Sequence, residues 1–177
     1  MAATTAAARQ GTSVPPLLRR YRALRRWPGG AWLFGRLVCL RAPYFAGIAP
    51  RIERLQPDVC EVAIRDRRAV HNHIGTVHAI ALCAMAELAA GLLAEAGLPA
   101  AMRWIPRGMS VEYLAKARGR MRATATFAEP PRVAVEGYAL PVEVVVADRA
   151  DTAVFRARIA MWISPRPGAA AQERSAA

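Results

Sequence analysis

Residues 71–97 read HNHIGTVHAIALCAMAELAAGLLAEAG. Gly75 precedes the apolar part of this stretch and Gly97 closes it, with Pro99 just beyond, which predicts one long helix between the two glycines. The run is apolar on nearly every helical face, a pattern typical of a helix that is buried on all sides. Glu87 is the exception, because it places a carboxylate in the middle of the run. We therefore expect a buried core helix that carries one acid.

Polar side chains crowd the entrance of this predicted helix. They comprise all three histidines and the only asparagine of the chain, at His71, Asn72, His73 and His78. Polar groups beside an apolar helix need hydrogen-bond partners, so the cluster either stabilises the loop or performs chemistry. The spacing of the histidines and Glu87 fits no strong zinc signature, and no metal site is predicted.

The composition indicates one domain with its own core and a strongly basic surface. The chain has 177 residues and a formal net charge of +12, with 24 arginines and a single lysine, Lys116. Such a charge attracts nucleic acid, phosphorylated cofactors such as coenzyme A, or an anionic membrane surface. The alternative is a solvated arginine-rich surface without a dedicated partner. No recognition motif points to a specific nucleic-acid partner.

Cysteine usage and hydropathy favour a cytoplasmic protein. The cysteines at positions 39, 60 and 83 lack metal-type spacing and are expected to be small buried hydrophobes in a reducing compartment. No stretch reaches the roughly 20 uninterrupted apolar residues that span a bilayer.

The ends of the chain differ from its centre. Residues 1–14 and 165–177 are predicted to be disordered tails. Residues 15–49 are predicted to form a basic helical arm, with one helix opening at Pro15 and a second over residues 31–40. The arm either packs on the domain or makes a weak contact with a partner or a membrane surface through residues 15–45.

Alternating apolar and polar residues predict strands on both sides of the central helix. They cover residues 51–55, 59–64, 102–113 (with a break at 106–108), 121–127, 140–147 and 152–164. One apolar helix against one antiparallel sheet of about five to six strands is an α+β layer architecture, and the sheet would wrap the helix. The domain is expected to comprise residues 50–164.

The residues at the entrance of the predicted helix fit a known sequence motif. Residues 72–78, NHIGTVH, fit the pattern Asn-x-x-Gly-x-x-His, and Glu87 follows nine residues after the histidine. This resembles the hotdog thioesterase superfamily, in its phenylacetate-pathway and 4-hydroxybenzoyl-CoA thioesterase branches. It is still more similar to a hotdog family of unknown function with an Asn-His-x-Gly-Thr-x-His-Ala opening. Residues 110–119, SVEYLAKARG, also resemble the strand and turn after the hotdog helix.

The resemblance implies a hotdog fold with an N-terminal helical arm, a homo-oligomer and hydrolysis of an acyl thioester. The carrier would be coenzyme A or acyl carrier protein, and coenzyme A enters as part of the substrate, with no separate cofactor. The thioesterase branches usually have Gly-Gly after the histidine. Here Ala79-Ile80 narrows the approach to the backbone but keeps its N–H groups.

Four residues are candidates for the chemistry. A helix N-terminus supplies N–H donors and a positive dipole end, so the Ala79 N–H would polarise the thioester carbonyl. The Asn72 amide would orient the carbonyl or the attacking water, or serve only the turn. Glu87 would act as general base or nucleophile, with a pKa raised by apolar neighbours, or pair with an arginine across a dimer. His78 is either a structural histidine or a proton shuttle.

A second group of residues is assigned to substrate binding. Lys116, Arg118 and Arg120 flank a glycine turn and could hold the phosphates of coenzyme A, although a solvated turn has the same composition. Gly75, in the entrance motif, is also assigned to substrate binding.

Helix geometry predicts an assembly if both catalytic groups serve one reaction. Ala79 and Glu87 are eight residues apart, or roughly 12 Å along a helix axis at about 1.5 Å per residue. They cannot both contact one carbonyl, so a catalytic site must combine two protomers in a dimer or a dimer of dimers. The alternative function is a non-catalytic acyl-thioester-binding or regulatory hotdog protein.

Overall fold

The computed structural model describes residues 14–167. The predicted tails therefore lie almost wholly outside the described residues. The helices and strands follow in this order: α1 (Pro16–Leu24), α2 (Gly30–Arg41), β1 (Arg51–Leu55), β2 (Val59–Ile64), α3 (Ala79–Gly97), β3 (Met102–Tyr113), β4 (Met121–Phe127), β5 (Tyr138–Ala147) and β6 (Ala153–Pro165). Two short 3₁₀ helices, Pro43–Ile48 and Arg68–Val70, lie before β1 and before α3.

The strands form one antiparallel sheet of six, in the order β1-β2-β4-β5-β6-β3. The helix α3 packs against one face of this sheet, so the predicted α+β architecture is confirmed. A register shift between Pro106 and Gly108 interrupts the pairing of β3 with β6, at the predicted break. Strand β5 begins at Tyr138, two residues earlier than predicted.

Small residues let the sheet wrap closely around α3. The helix buries Ala86, Ala89 and Ala90 completely, and larger side chains such as Met85 and Leu93 fill the spaces between them. Inward-facing residues of the strands meet this surface because successive side chains of a strand alternate between its faces. Gly97 ends the helix where a Cβ would collide with the carbonyl oxygen of Pro57, in the β1–β2 turn. Two close approaches, one along α3 and one at its end, thus fix the helix in the sheet.

The helix α3 is not buried on all sides, and that prediction is wrong. Ile80 is 56% exposed and Glu87 is also exposed, while Cys83 and Gly91 are half-buried. These four residues recur every three or four positions and form one line along the helix, which we call the open face of α3. The sequence did not predict this exposure, because isoleucine, cysteine and glycine occur both in cores and on exposed faces. Glu87 therefore lies in solvent in the single chain and not in the apolar surroundings that were expected.

By length and composition α3 could cross a membrane, but 67% of its apolar window is buried inside the domain. It is thus the core helix of the fold.

The helical arm packs on the domain with its inner face. Leu18, Tyr21 and Phe34 are buried, and the two rings lie edge-to-face at 5.1 Å between centroids. The Tyr21 hydroxyl donates a hydrogen bond of 2.8 Å to the backbone oxygen of Glu53 in β1. A Cβ at Gly35 would collide with the carbonyl oxygen of Pro50, so α2 approaches the start of β1 closely. The arm therefore covers the β1 edge of the sheet.

Candidate functional site

The entrance loop is a tight turn that Asn72 holds together. His71 and Val77 pair as an isolated antiparallel bridge on either side of the turn. Asn72 Oδ1 accepts hydrogen bonds of 3.1 Å from the N–H groups of Ile74 and Thr76, and Asn72 Nδ2 donates to Thr76 Oγ1 at 2.8 Å. Gly75 has φ of +71°, in the left-handed region that favours glycine. Asn72 thus serves the turn, and its Nδ2 retains a second hydrogen for another acceptor.

His78 caps the start of α3 and leaves one backbone donor. Its Nδ1 accepts from Ile80 N–H at 3.0 Å, while its backbone oxygen accepts from Ala81 and Leu82. Of the first four N–H groups of the helix, only Ala79 N–H has no acceptor within residues 14–167. This donor lies at the positive end of the helix dipole, where an incoming carbonyl oxygen is best stabilised.

The loop between β3 and β4, residues 114–120, is fastened to this entrance. Ala117 O accepts a hydrogen bond of 2.9 Å from Val77 N–H. The Asp66 carboxylate bridges the two segments, since one oxygen pairs with His71 Nε2 and the other accepts from Gly119 N–H at 2.6 Å. The structure therefore brings the basic loop beside the helix start.

The sequence pattern did not predict a role for Asp66. It lies in the charged run Arg65-Asp66-Arg67-Arg68, which has the appearance of a solvated strand end. One feature of the sequence could have indicated its role, since Asp66 is a single acid among three arginines, shortly before the histidine cluster. A carboxylate surrounded by cations is commonly recruited as a hydrogen-bond acceptor.

The three basic residues assigned to phosphate binding are all exposed but are not equivalent. Arg120 forms an ion pair with Glu53, which holds its guanidinium towards the β1 edge. Arg118 lies close enough to Asp66 to help keep that carboxyl ionised. Of the three, only Arg120 forms an ion pair within residues 14–167.

Hydrogen bonds from His71 and from Gly119 N–H hold the pKa of Asp66 below its ordinary value of 3.8, and Arg118 adds to the effect. A carboxyl with a lowered folded pKa stabilises the fold above its unfolded pKa, and that stabilisation is lost as the pH falls through the folded pKa.

We expect Asp66→Asn to lower the free energy of unfolding by about 1–2 kcal/mol at neutral pH, because a charge-assisted hydrogen bond is weakened. The difference from the unmodified chain should stay constant down to about pH 4 and shrink below it. Denaturant unfolding at a series of pH values measures this, with Asp58→Asn, at an exposed turn, as the matched control. Parallel stability curves for Asp66→Asn and the unmodified chain below pH 4 would contradict the assignment.

The open face of α3 adjoins strand β3. Cys83 Sγ lies 3.5 Å from Tyr113 Oη, so the thiol contacts a strand residue and is not enclosed in the core as predicted. One turn beyond Glu87, Gly91 packs under the indole of Trp104. Glu87 thus lies between two contacts that join the helix to the edge of the sheet. Ala79 and Glu87 are on one continuous helix, and the single chain does not bring them together.

A cavity of about 460 Å³ opens beside the start of α3. Its walls are mostly apolar and come from the arm, the segment before α3 and α3 itself: Tyr44, Gly47, Ile48, Ala69, Val70, His71, His78, Ile80, Ala81 and Ala84. A cleft of this size with a few polar groups is typical of sites for small organic ligands. Glu87 is not among its lining residues.

Within residues 14–167, no three histidine, cysteine, aspartate or glutamate side chains are placed to hold a metal ion.

A family model for a domain of unknown function, DUF4442, matches residues 30–163. The chain belongs to this family. The match begins at the first residue of α2, so the second helix of the arm is part of the domain that the DUF4442 family shares. No curated protein sequence matches the chain.

Solved structures share the fold. The crystal structure named genomics APC5556 has a TM-score of 0.73 and 44% sequence identity, over 85% of this chain and 99% of that one. A thioesterase from Haemophilus influenzae has a TM-score of 0.60 and 13% identity, over 69% of this chain and 82% of that one. A thioesterase family protein from Silicibacter pomeroyi has a TM-score of 0.62 and 18% identity, over 75% of this chain and 96% of that one. The hotdog fold is thereby confirmed, and placement in a narrower branch stays a prediction.

Proposed function

We propose that this chain hydrolyses acyl thioesters carried by coenzyme A or acyl carrier protein. The observation that carries the proposal is the Ala79 N–H, a donor without an acceptor in residues 14–167 at the positive end of α3, with the Glu87 carboxylate exposed on the same helix. Two of the structural neighbours are named as thioesterases, which supports the same chemistry.

The reaction follows from the properties of these groups. The thioester carbonyl oxygen accepts a hydrogen bond from Ala79 N–H, which stabilises the negative charge that forms there. The remaining Asn72 Nδ2 hydrogen is available to orient the carbonyl or the water. Glu87 takes a proton from the attacking water as the new C–O bond forms, and the C–S bond then breaks to release the thiol with that proton. In the alternative path a Glu87 oxygen attacks the carbonyl carbon and the C–S bond breaks to release the thiolate, which leaves a mixed anhydride. Water then hydrolyses the anhydride to the free acid and restores Glu87, and the proton that is released goes to the thiolate.

The separation of Ala79 and Glu87 requires a second copy of the chain. Eight residues of helix place them roughly 12 Å apart, too far for one carbonyl. Strand β3 offers the surface for the copy, because it ends the sheet with 12 residues and exposes Met109 and Tyr113, and Tyr113 contacts Cys83 on the open face of α3. A long unpaired edge of this kind is a template for strand pairing. The opposite edge, β1, has only five residues and packs against α2.

A carrier with phosphates would bind at the loop of residues 114–120. Val77 and Asp66 hold this loop beside the entrance, and the loop carries two exposed cations, Lys116 and Arg118. Phosphate groups bind such cations through charge-assisted hydrogen bonds. A thioester linked to coenzyme A would then reach the helix start from this side.

Two observations favour a second candidate, a non-catalytic acyl-thioester-binding protein. Asn72 uses both side-chain polar atoms to hold its own turn, and Ile80 places an exposed side chain next to Ala79. The first leaves only one Asn72 hydrogen for a substrate, and the second narrows the approach to the Ala79 N–H, while the cavity stays open to an acyl group.

A panel of acyl-CoA substrates of increasing chain length separates the two candidates. The hydrolase releases free thiol from at least one of them, measured with a thiol-reactive chromophore. Non-hydrolysable thioether analogues raise the melting temperature in both cases by mass action. Stabilisation by an analogue without thiol release from any substrate would establish the binding protein. If no analogue raises the melting temperature and no substrate releases thiol, both candidates are refuted.

A further inference from the structure

The helix α2 is apolar on both of its faces, although only one is covered. Its inner face buries Ala31, Phe34 and Cys39. The opposite face exposes four large side chains, at Trp32 (60%), Leu33, Leu37 and Leu40 (76%), which we call the outer face of α2. A helix that is apolar all round is normally covered all round. The outer face is therefore suited to a surface that residues 14–167 do not provide.

Two exposed aromatic residues flank α2 in the chain. Trp27 lies just before α2 and Tyr44 just after it, and both side chains are more than two-thirds exposed. Tryptophan and tyrosine have an apolar ring with a polar edge, which suits the boundary between lipid and water.

The surroundings of the outer face are strongly positive. The first 50 residues contain eight arginines and no acid, and thus supply eight of the twelve net charges of the chain. Seven of the eight lie in the arm and are exposed: Arg19, Arg20, Arg22, Arg25, Arg26, Arg36 and Arg41. Among the ion pairs of residues 14–167, none uses an arginine of the arm. These cations are therefore available to an anionic surface.

We propose that the outer face of α2 docks on an anionic phospholipid bilayer. The leucines and tryptophans would enter the boundary between headgroups and acyl chains, and the arginines would contact the phosphates. Twelve helical residues extend about 18 Å, which is too short to span a bilayer, so α2 lies in the plane of the surface.

Charge decides between a bilayer and a second copy of the chain. A symmetric contact between two outer faces would bring two sets of arm arginines together, and the arm has no acidic residue to compensate them. Like charges placed together in this way oppose association. An anionic bilayer instead gains from every arginine that approaches it.

Co-sedimentation of the full chain with vesicles tests the proposal. We expect binding to vesicles of phosphatidylcholine mixed with phosphatidylglycerol, little binding to phosphatidylcholine alone, and weaker binding as salt is added. Leu37→Ser combined with Leu40→Ser should weaken binding roughly a hundredfold, about tenfold for each leucine. Arg36→Gln combined with Arg41→Gln should weaken it about fivefold for each arginine at low salt.

The matched control is Val133→Ser combined with Val135→Ser, which removes two exposed valines from the loop after β4 and should leave vesicle binding unchanged. The replaced side chains of the arm are exposed, so each variant should keep its melting temperature. Failure of the full chain to sediment with anionic vesicles would overturn the proposal. A variant with Leu37→Ser and Leu40→Ser that sediments normally would also overturn it. If that variant then has a lower oligomer mass in light scattering than the unmodified chain, the face is a contact between copies. Thiol release from short-chain acyl-CoA without vesicles reports on the hydrolase separately.

Discussion

Glu87→Gln is expected to reduce kcat/KM for thiol release by about a thousandfold without changing the stability of the fold. The amide has the shape of the carboxylate but cannot accept a proton from water, and general-base catalysis contributes about 10²–10⁴ in rate. Glu87 is exposed and forms no hydrogen bond or ion pair within residues 14–167. Replacing such a side chain changes the free energy of unfolding by no more than about 0.5 kcal/mol. Steady-state kinetics and thermal unfolding measure the two effects.

Glu95→Gln is the matched control for this prediction. Glu95 is also an exposed acid of α3, and it accepts a hydrogen bond of 2.9 Å from Trp104 Nε1 that a glutamine oxygen can still accept. The Glu95→Gln variant should have the same kcat/KM for thiol release as the unmodified chain. If Glu87 only pairs with an arginine across a dimer, Glu87→Gln would weaken the dimer and leave the activity of the remaining dimer intact.

Ala79→Pro is expected to reduce kcat by about 10²–10³, because loss of one donor to the developing oxyanion has this effect. Proline removes the Ala79 N–H and nothing else that the helix uses. It is favoured at the first position of a helix, and the preceding residue must then be extended. His78 already has φ of −65° and ψ of 140°, so the backbone accepts the substitution. The melting temperature should not fall, and Ala79→Ser, which keeps the N–H, is the control.

Mixing the two inactive variants tests whether the site is shared. In a heterodimer of Glu87→Gln and Ala79→Pro, one site combines an intact Ala79 from one protomer with an intact Glu87 from the other, and the second site has neither. Random exchange should therefore restore about a quarter of the full activity. Recovery of no activity after confirmed exchange would show that Ala79 and Glu87 do not act together across the interface.

Periodicity predicted the sheet and the central helix closely. Strands such as β4, where buried Met121, Ala123 and Ala125 alternate with more exposed residues, carry their assignment in the sequence. The break at Pro106 and Gly108 was also visible, because proline removes a donor from the strand ladder. These features depend on neighbours in the chain, which a sequence displays directly.

The open face of α3 could not be predicted in this way. Its exposure depends on where the sheet stops, and Ile80 and Cys83 are as apolar as the residues of the core. The same limit applies to Asp66, whose partners at His71 and Gly119 are 5 and 53 residues distant in the chain. A contact over such a separation leaves no periodic trace. The motif placed Ala79 and Asn72 at the entrance, but only the structure showed that Asn72 holds its own turn and that His78 caps the helix.

The rigid spacing of Ala79 and Glu87 along α3 also bears on how such a protein evolves. If each site takes its donor from one protomer and its acid from the other, a duplicated gene can lose Glu87 in one copy and acquire proline at position 79 in the other, which removes the donor. Every mixed dimer then keeps one complete site and has a second that is free to change. A single helix that contributes to two sites thus makes specialisation of paired copies accessible in two separate steps.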